Sequence, residues 1–237
     1  TQVASADYSV ISGGKGNAAT GPYSAVGGGQ GNTASNWYST VGGGLQNTAG
    51  GLCSTVGGGQ DNTTSGQYCT IGGGRRNSAS GWNITIGGGK GNTASGDNST
   101  VGGGEDNTAS GVNSTVGGGS GNTASGANST VGGGRHNRAE GLSSTVSGGK
   151  DNTAYGQYST VGGGFGNTTG GNYSVVIGGR YNEANADFVM VFGDNVEPSV
   201  AEAYRVYFFG DGSIDNRDRA RPSGFLVINR LNGNHPI

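Results

Sequence analysis

The groups able to do acid, base, nucleophilic or metal chemistry are few and scattered along this chain. Its two histidines, His136 and His235, stand in different regions, and neither belongs to an ordered nucleophile or ligand pattern. Glu105 and Asp106 are neighbours on a variable turn, where adjacent side chains point apart and nothing desolvates them, so they make no acid/base pair. Asp211, Asp215 and Asp218 lie in or near a Gly-Asp-Gly turn and could hold a hard cation such as calcium. Their spacing fits no EF-hand loop, and a solvated turn is the simpler reading. Matches to G-x-G-x-x-G recur by accident in a chain with 55 glycines, and none sits in a strand-helix-strand unit with an acidic residue downstream. No catalytic, cofactor or metal site is expected, and the chain reads as a protein other than an enzyme.

The elements that would position any site are set by a repeat. At a step of fifteen, one column reads Ile11, Val26, Val41, Val56, Ile71, Ile86, Val101, Val116, Val131, Val146, Val161 and Val176, twelve coils without an insertion. Eight residues on, a second column runs from Ala19 to Ala184 and is alanine except at Thr64 and Thr169. Both apolar positions are flanked by alternating character, as half-buried strands require. Ser99, Val101 and Gly103 are expected to point inward and Thr100 and Gly102 outward; on the second strand Asn107, Ala109 and Gly111 point inward. Two strands of about five residues and two tight turns consume the coil, leaving no room for a helix. The fold expected is an all-β parallel solenoid over 1–185, followed by a non-repeat β-rich cap or connector over 186–237.

Three further columns bear on backbone and core. Glycine throughout the columns of Gly28 and Gly29 implies positive φ or a close neighbour, and the column of Gly111 implies a turn in the left-handed region. Asparagine from Asn17 to Asn182 implies a ladder of stacked amides bonded to one another at about 4.8 Å. Cys53 and Cys69 fall in adjacent coils but in neighbouring columns, so a disulfide is conceivable and not required. One Val and one Ala per coil make a thin core, which argues for further burial between chains.

The motif S-T-V-G-G-G-x-x-N-T-A-S-G, as in Ser99 to Gly111, resembles the head repeats of trimeric autotransporter adhesins, the YadA-like head, over about residues 8 to 186. Ser99, Val101, Gly103, Asn107, Ala109 and Gly111 match in order. The resemblance implies a left-handed parallel β-roll, a side-by-side homotrimer, and an exposed adhesive role on a cell surface or a phage-type tail fibre. Where the family commonly has Val and Ile in the trimer contact, this chain has Thr100 and Gly102, and its coil carries an additional glycine. The segments from Ala186 to Val189 and from Gly224 to Asn229 are similar, more weakly, to tail-fibre proteins.

Composition excludes other partners. A net charge of −2 with 12% charged residues gives no electrostatic reason to expect nucleic acid or an anionic membrane. The chain has no apolar run of eighteen residues and no signal-peptide pattern, and it starts at Thr1. It is therefore expected to be a mature or excised piece of a longer chain that does not itself insert in a membrane.

Function should lie where the repeat leaves residues free. One such edge is the two-residue turn after the glycines, including Arg75-Arg76 and Arg135-His136; the other precedes the Ser column and includes Trp37-Tyr38 and Trp82. Trp37, Tyr38, Arg75, Arg76, Trp82, Arg135 and His136 are the candidate partner-binding residues, toward a surface glycan or a protein receptor. Packing between chains, for the aromatics, and plain solvation, for the charges, are the alternatives. Nine threonines in one column, Thr40 to Thr160, with T-x-S pairs on the other strand, could instead bind ice. A filament or spacer subunit with no ligand is the third reading. Sequons at Asn83, Asn98, Asn113 and Asn128 would stack in line.

Overall fold

The structure, a computed structural model, describes residues 1–196 and 206–208. The chain divides into two compact units of the same build, Thr1–Asn128 and Ser129–Ile237. Every described element is a strand, and the strands form a parallel β-solenoid of about thirteen coils. In the first unit Thr100–Val101 pairs with Thr85–Ile86 and Thr115–Val116, while Thr108–Ala109 pairs with Thr93–Ala94 and Thr123–Ala124. In the second, Thr145–Val146 pairs with Thr130–Val131 and Thr160–Val161. Each partner is the fifteenth residue on, so the register follows directly from the repeat.

The strands are shorter than the alternation implied, two residues in place of about five. The turns take the remainder of the coil, and they are themselves pinned. The first residue of each variable pair forms a parallel bridge to its equivalent, as in Arg75 to Lys90 to Glu105. The second residue is left-handed, with φ of 57° at Arg76 and 53° at Asp106, which suits the Gly and Asp that recur there.

The inward set is close to the one the sequence implies, and it is half polar. Ser99, Val101, Asn107 and Ala109 are each wholly buried, while Gly102 is exposed. Asn107 shows how the buried amides are satisfied. Its Oδ1 accepts the Asn122 backbone N–H at 3.0 Å, and its Nδ2 donates to the Gly103 and Gly119 carbonyls at 2.9 Å. The ladder therefore runs chiefly through the backbone and not amide to amide as expected; direct amide pairs supplement it, as from Asn77 to Asn62 at 3.1 Å. Where Thr replaces Ala, its hydroxyl finds a core partner: Thr64 donates to Ser54 at 2.9 Å, and Ser54 to the Gly51 carbonyl at 2.8 Å. The core thus holds four side chains per coil, of which only the Val and the Ala are apolar.

The glycine columns have distinct causes. Gly104 has a φ of 88°, and a Cβ there would lie 2.1 Å from the Gly119 carbonyl oxygen. The Gly111 column is not left-handed; glycine is needed because a Cβ would come within 2.1 Å of the Gly126 carbonyl oxygen. Nothing in the structure explains the glycine at Gly103, whose Cβ would meet no atom closer than 4.0 Å.

The coil also outlasts the visible period. Val175–Arg180 pairs with Met190–Asp194, first as Val176 to Val191 and then, across a register shift, as Arg180 to Asp194. One residue is dropped, so the last coil is fourteen residues long. Val196 then takes the place of the ladder asparagine, its N–H donating to Asn182 Oδ1 at 3.1 Å. Strand pairing therefore continues past residue 185, and Val206–Phe208 pairs in turn with Met190–Asp194. The rest of the segment expected as a cap lies outside the described residues.

Candidate binding edges

Two exposed edges carry the variable side chains, each built by one left-handed column. On the first, the residue before each Ser has φ between 51° and 59°, a conformation that Asn tolerates and Tyr adopts at a cost of about 1–2 kcal/mol. Stacking offsets that cost where aromatics occupy it. Tyr8 lies over Tyr23 at 4.8 Å and Tyr23 over Tyr38 at 5.0 Å, with interplanar angles of 12° and 13°. Trp37 leans on both Tyr23 and Tyr38, at 6.3 and 6.2 Å. In the second unit Tyr158, Tyr173 and Phe188 form a like ladder at 5.0 and 4.9 Å. Phe188, read from the sequence as part of a separate segment, belongs to this column.

After Tyr68 the same column of the first unit holds asparagine. Asn83 Nδ2 donates to Asn98 Oδ1, Asn98 to Asn113 and Asn113 to Asn128, at 3.1, 3.1 and 3.0 Å. The sequon asparagines thus stack in line, and their amides hold one another along the exposed edge.

The second edge pairs charges along the coil axis. Lys90 Nζ bonds Glu105, and this contact, followed by the charge of Lys90, holds the Glu105 carboxyl below the usual carboxylate range. Arg180 grips Asp194 through Nε at 3.0 Å and Nη2 at 2.7 Å, which lowers the Asp194 carboxyl in the same way. Arg76 stands 4.0 Å from Asp61, and His136 Nδ1 3.5 Å from Asp151. Lys150 lies over the Phe165 ring at 4.9 Å. Pairs as exposed as these contribute little to stability.

The candidate residues are distributed as follows. Trp37 and Tyr38 are joined in one aromatic cluster, whereas Trp82, three coils along the same edge, is about 14 Å away at strand spacing. It packs instead against Tyr68, with ring centroids 6.2 Å apart. Arg75, Arg76, Arg135 and His136 are exposed on the other edge, the first pair in the first unit and the second pair in the second. Gln67 and Asp97, which flank Trp82 one coil to either side, were not among the candidates, although their spacing of fifteen from Trp82 places them there. Cys53 and Cys69 are both free thiols, the first exposed and the second buried, so no disulfide joins them; burial raises the Cys69 thiol above its ordinary range.

Among the described residues no three His, Cys, Asp or Glu side chains converge closely enough to hold a metal ion. No described helix is long and apolar enough to cross a membrane. Asp211, Asp215, Asp218 and His235 lie outside the described residues. No protein-family model matches this chain, and no curated protein matches it.

Proposed function

We propose that this chain is a non-enzymatic surface or fibre protein, a solenoid scaffold that assembles as a homotrimer and presents its side-chain edges for attachment to a host or partner. The observation that carries this reading is the exposed aromatic ladder: Tyr8, Tyr23 and Tyr38 keep 75, 44 and 52% of their surface while held at ring-stacking distance. Exposed aromatics on a backbone pinned three times per coil offer contact area at low entropic cost. The YadA-like motif supports the trimer, and the shared reading places the protein outside the cell or on a virion.

Light scattering on the intact chain tests this. A mass three times 23.3 kDa, together with retention on host-surface preparations that Tyr23→Ala and Trp37→Ala weaken, is the expected result. A monomer that adheres to nothing contradicts it, and end-to-end polymers in electron micrographs would favour a spacer filament.

One observation favours a second reading. Thr93, Thr108 and Thr123 stand in register with exposed Ser95, Ser110 and Ser125 two residues on, giving paired hydroxyl columns on one face of the first unit. Such a face would order water as an ice-binding surface does, and thermal hysteresis at sub-millimolar protein would reveal it. In the second unit Arg138, Glu140 and Tyr155 interrupt the face.

A further inference from the structure

Part of the aromatic edge is concave. A depression of about 450 Å³ opens in the first unit, lined by Ser65, Gln67, Ser80, Gly81, Trp82 and Asp97. Gln67, Trp82 and Asp97 are successive members of one column, and Ser65 and Ser80 are successive members of the column two residues earlier.

The sequence departs from the repeat beneath the depression. Most other coils bury a small Ser behind this turn, and in several its backbone N–H donates to the glycine three residues back, as from Ser99 to Gly96 at 3.1 Å and from Ser114 to Gly111 at 3.2 Å. Two adjacent coils instead bury Cys69 and Ile84, and neither makes that turn bond. Of the two turn glycines, Gly81 before Ile84 is partly exposed, whereas Gly66 before Cys69 is buried like Gly96 and Gly111.

The lining is equipped on two sides. The Trp82 indole keeps 53% of its surface and is braced from behind by Tyr68. Beside it, Asp97 Oδ1 accepts the Trp82 backbone N–H at 2.8 Å, which fixes the carboxylate and leaves Oδ2 without a partner among the described residues. The Gln67 amide and the Ser65 and Ser80 hydroxyls likewise make no hydrogen bond to the described residues. An aromatic face ringed by unspent donors and acceptors is the counterpart of a sugar ring, which has one apolar C–H face and a rim of hydroxyls that both donate and accept. Among the described lining residues the only charge is that of Asp97, which disfavours acidic sugars.

We propose that this depression binds a neutral pyranose unit of a surface glycan, stacked on Trp82 and hydrogen-bonded by Asp97 and Gln67. The proposal deepens the attachment reading above and rests on it. The test is saturation-transfer NMR on the full chain with the methyl glycosides of glucose, galactose, mannose and N-acetylglucosamine. Transfer to the ring C–H protons of at least one glycoside is expected, at least tenfold weaker in W82A, reduced in D97N and partly kept in W82F, with circular dichroism confirming that each variant is folded. Absence of transfer for all four, or equal transfer in W82A and the parent, overturns the proposal. If the chain is trimeric and adheres to host surfaces but binds none of the glycosides, the depression is not a pyranose site and the scaffold reading stands. If a monomer binds one through Trp82, the site stands and the trimeric scaffold falls.

Discussion

The Asn107 side chain accepts the backbone N–H of Asn122, fifteen residues along the chain, at 3.0 Å. This bond ties one coil to the next through a residue that is itself wholly buried, and the same amide holds the Gly103 and Gly119 carbonyls. Asn107→Ala would take the partner from the Asn122 N–H and the Gly103 carbonyl, while the Gly119 carbonyl keeps the Glu105 N–H, at about 1–3 kcal/mol for each orphaned group that water cannot reach. We expect a loss of about 3 kcal/mol or more, read as a lowered urea midpoint. A change under about 1 kcal/mol would show that the ladder carries little of the fold.

Adjacent glycines should respond differently to the same change. Gly104→Ala places a methyl group against the Gly119 carbonyl in a left-handed backbone and should cost more than about 2–3 kcal/mol or unfold the coil locally. Gly103→Ala meets open space and should shift stability by less than about 1 kcal/mol. Thermal melts of both variants check this, and equal losses would contradict the assignment of separate causes.

The two thiols should differ in reactivity. Cys53 is exposed, whereas Cys69 is buried and its thiolate is disfavoured by desolvation. Ellman's reagent should therefore titrate one thiol in the native chain and two after denaturation, without prior reduction. Two fast thiols, or none, would contradict the structure.

Acid should remove the contribution of the axial ion pairs. The Glu105 carboxyl is depressed by Lys90 in the folded state, so folding favours its ionised form. That contribution is present above the ordinary carboxylate range and disappears as pH falls through the folded value. Glu105→Gln should lower the melting temperature slightly near pH 7 at low salt and not at all near pH 2, or in about 1 M salt. A difference that persists in acid would mean that Glu105 acts through packing.

Much of the fold was legible because a coil of fixed length converts sequence spacing directly into contact. The Val101 and Ala109 columns, the parallel register and the buried Asn107 all follow from the step of fifteen. The short strands were not legible, since the alternation around Val101 extends into residues whose backbone turns away. Positive φ holds for the Gly104 column as the sequence implies, but the left-handed turn assigned to Gly111 belongs to Asn98 and Asp106, because close approach and positive φ both select glycine. The final coil was hidden by one missing residue between Val191 and Asp194, which shifts Val196 out of the asparagine column. Of the edges, Trp37, Tyr38 and Trp82 stood out by residue type, but the depression beside Trp82 is visible only once residues a coil apart, Gln67, Trp82 and Asp97, are brought side by side.

The central claim, that every fifteenth side chain stands beside its predecessor, can be measured with pyrene labels in a cysteine-free background carrying Cys53→Ser and Cys69→Ser. Labels at Ser95 and Ser110, exposed and paired in one column, should be about 4.8 Å apart at the backbone and give strong excimer emission. Labels at Ser95 and Glu105, closer in sequence but in different columns of the coil, should give monomer emission. Excimer from the second pair, or none from the first, would contradict the stacked register on which the account is built.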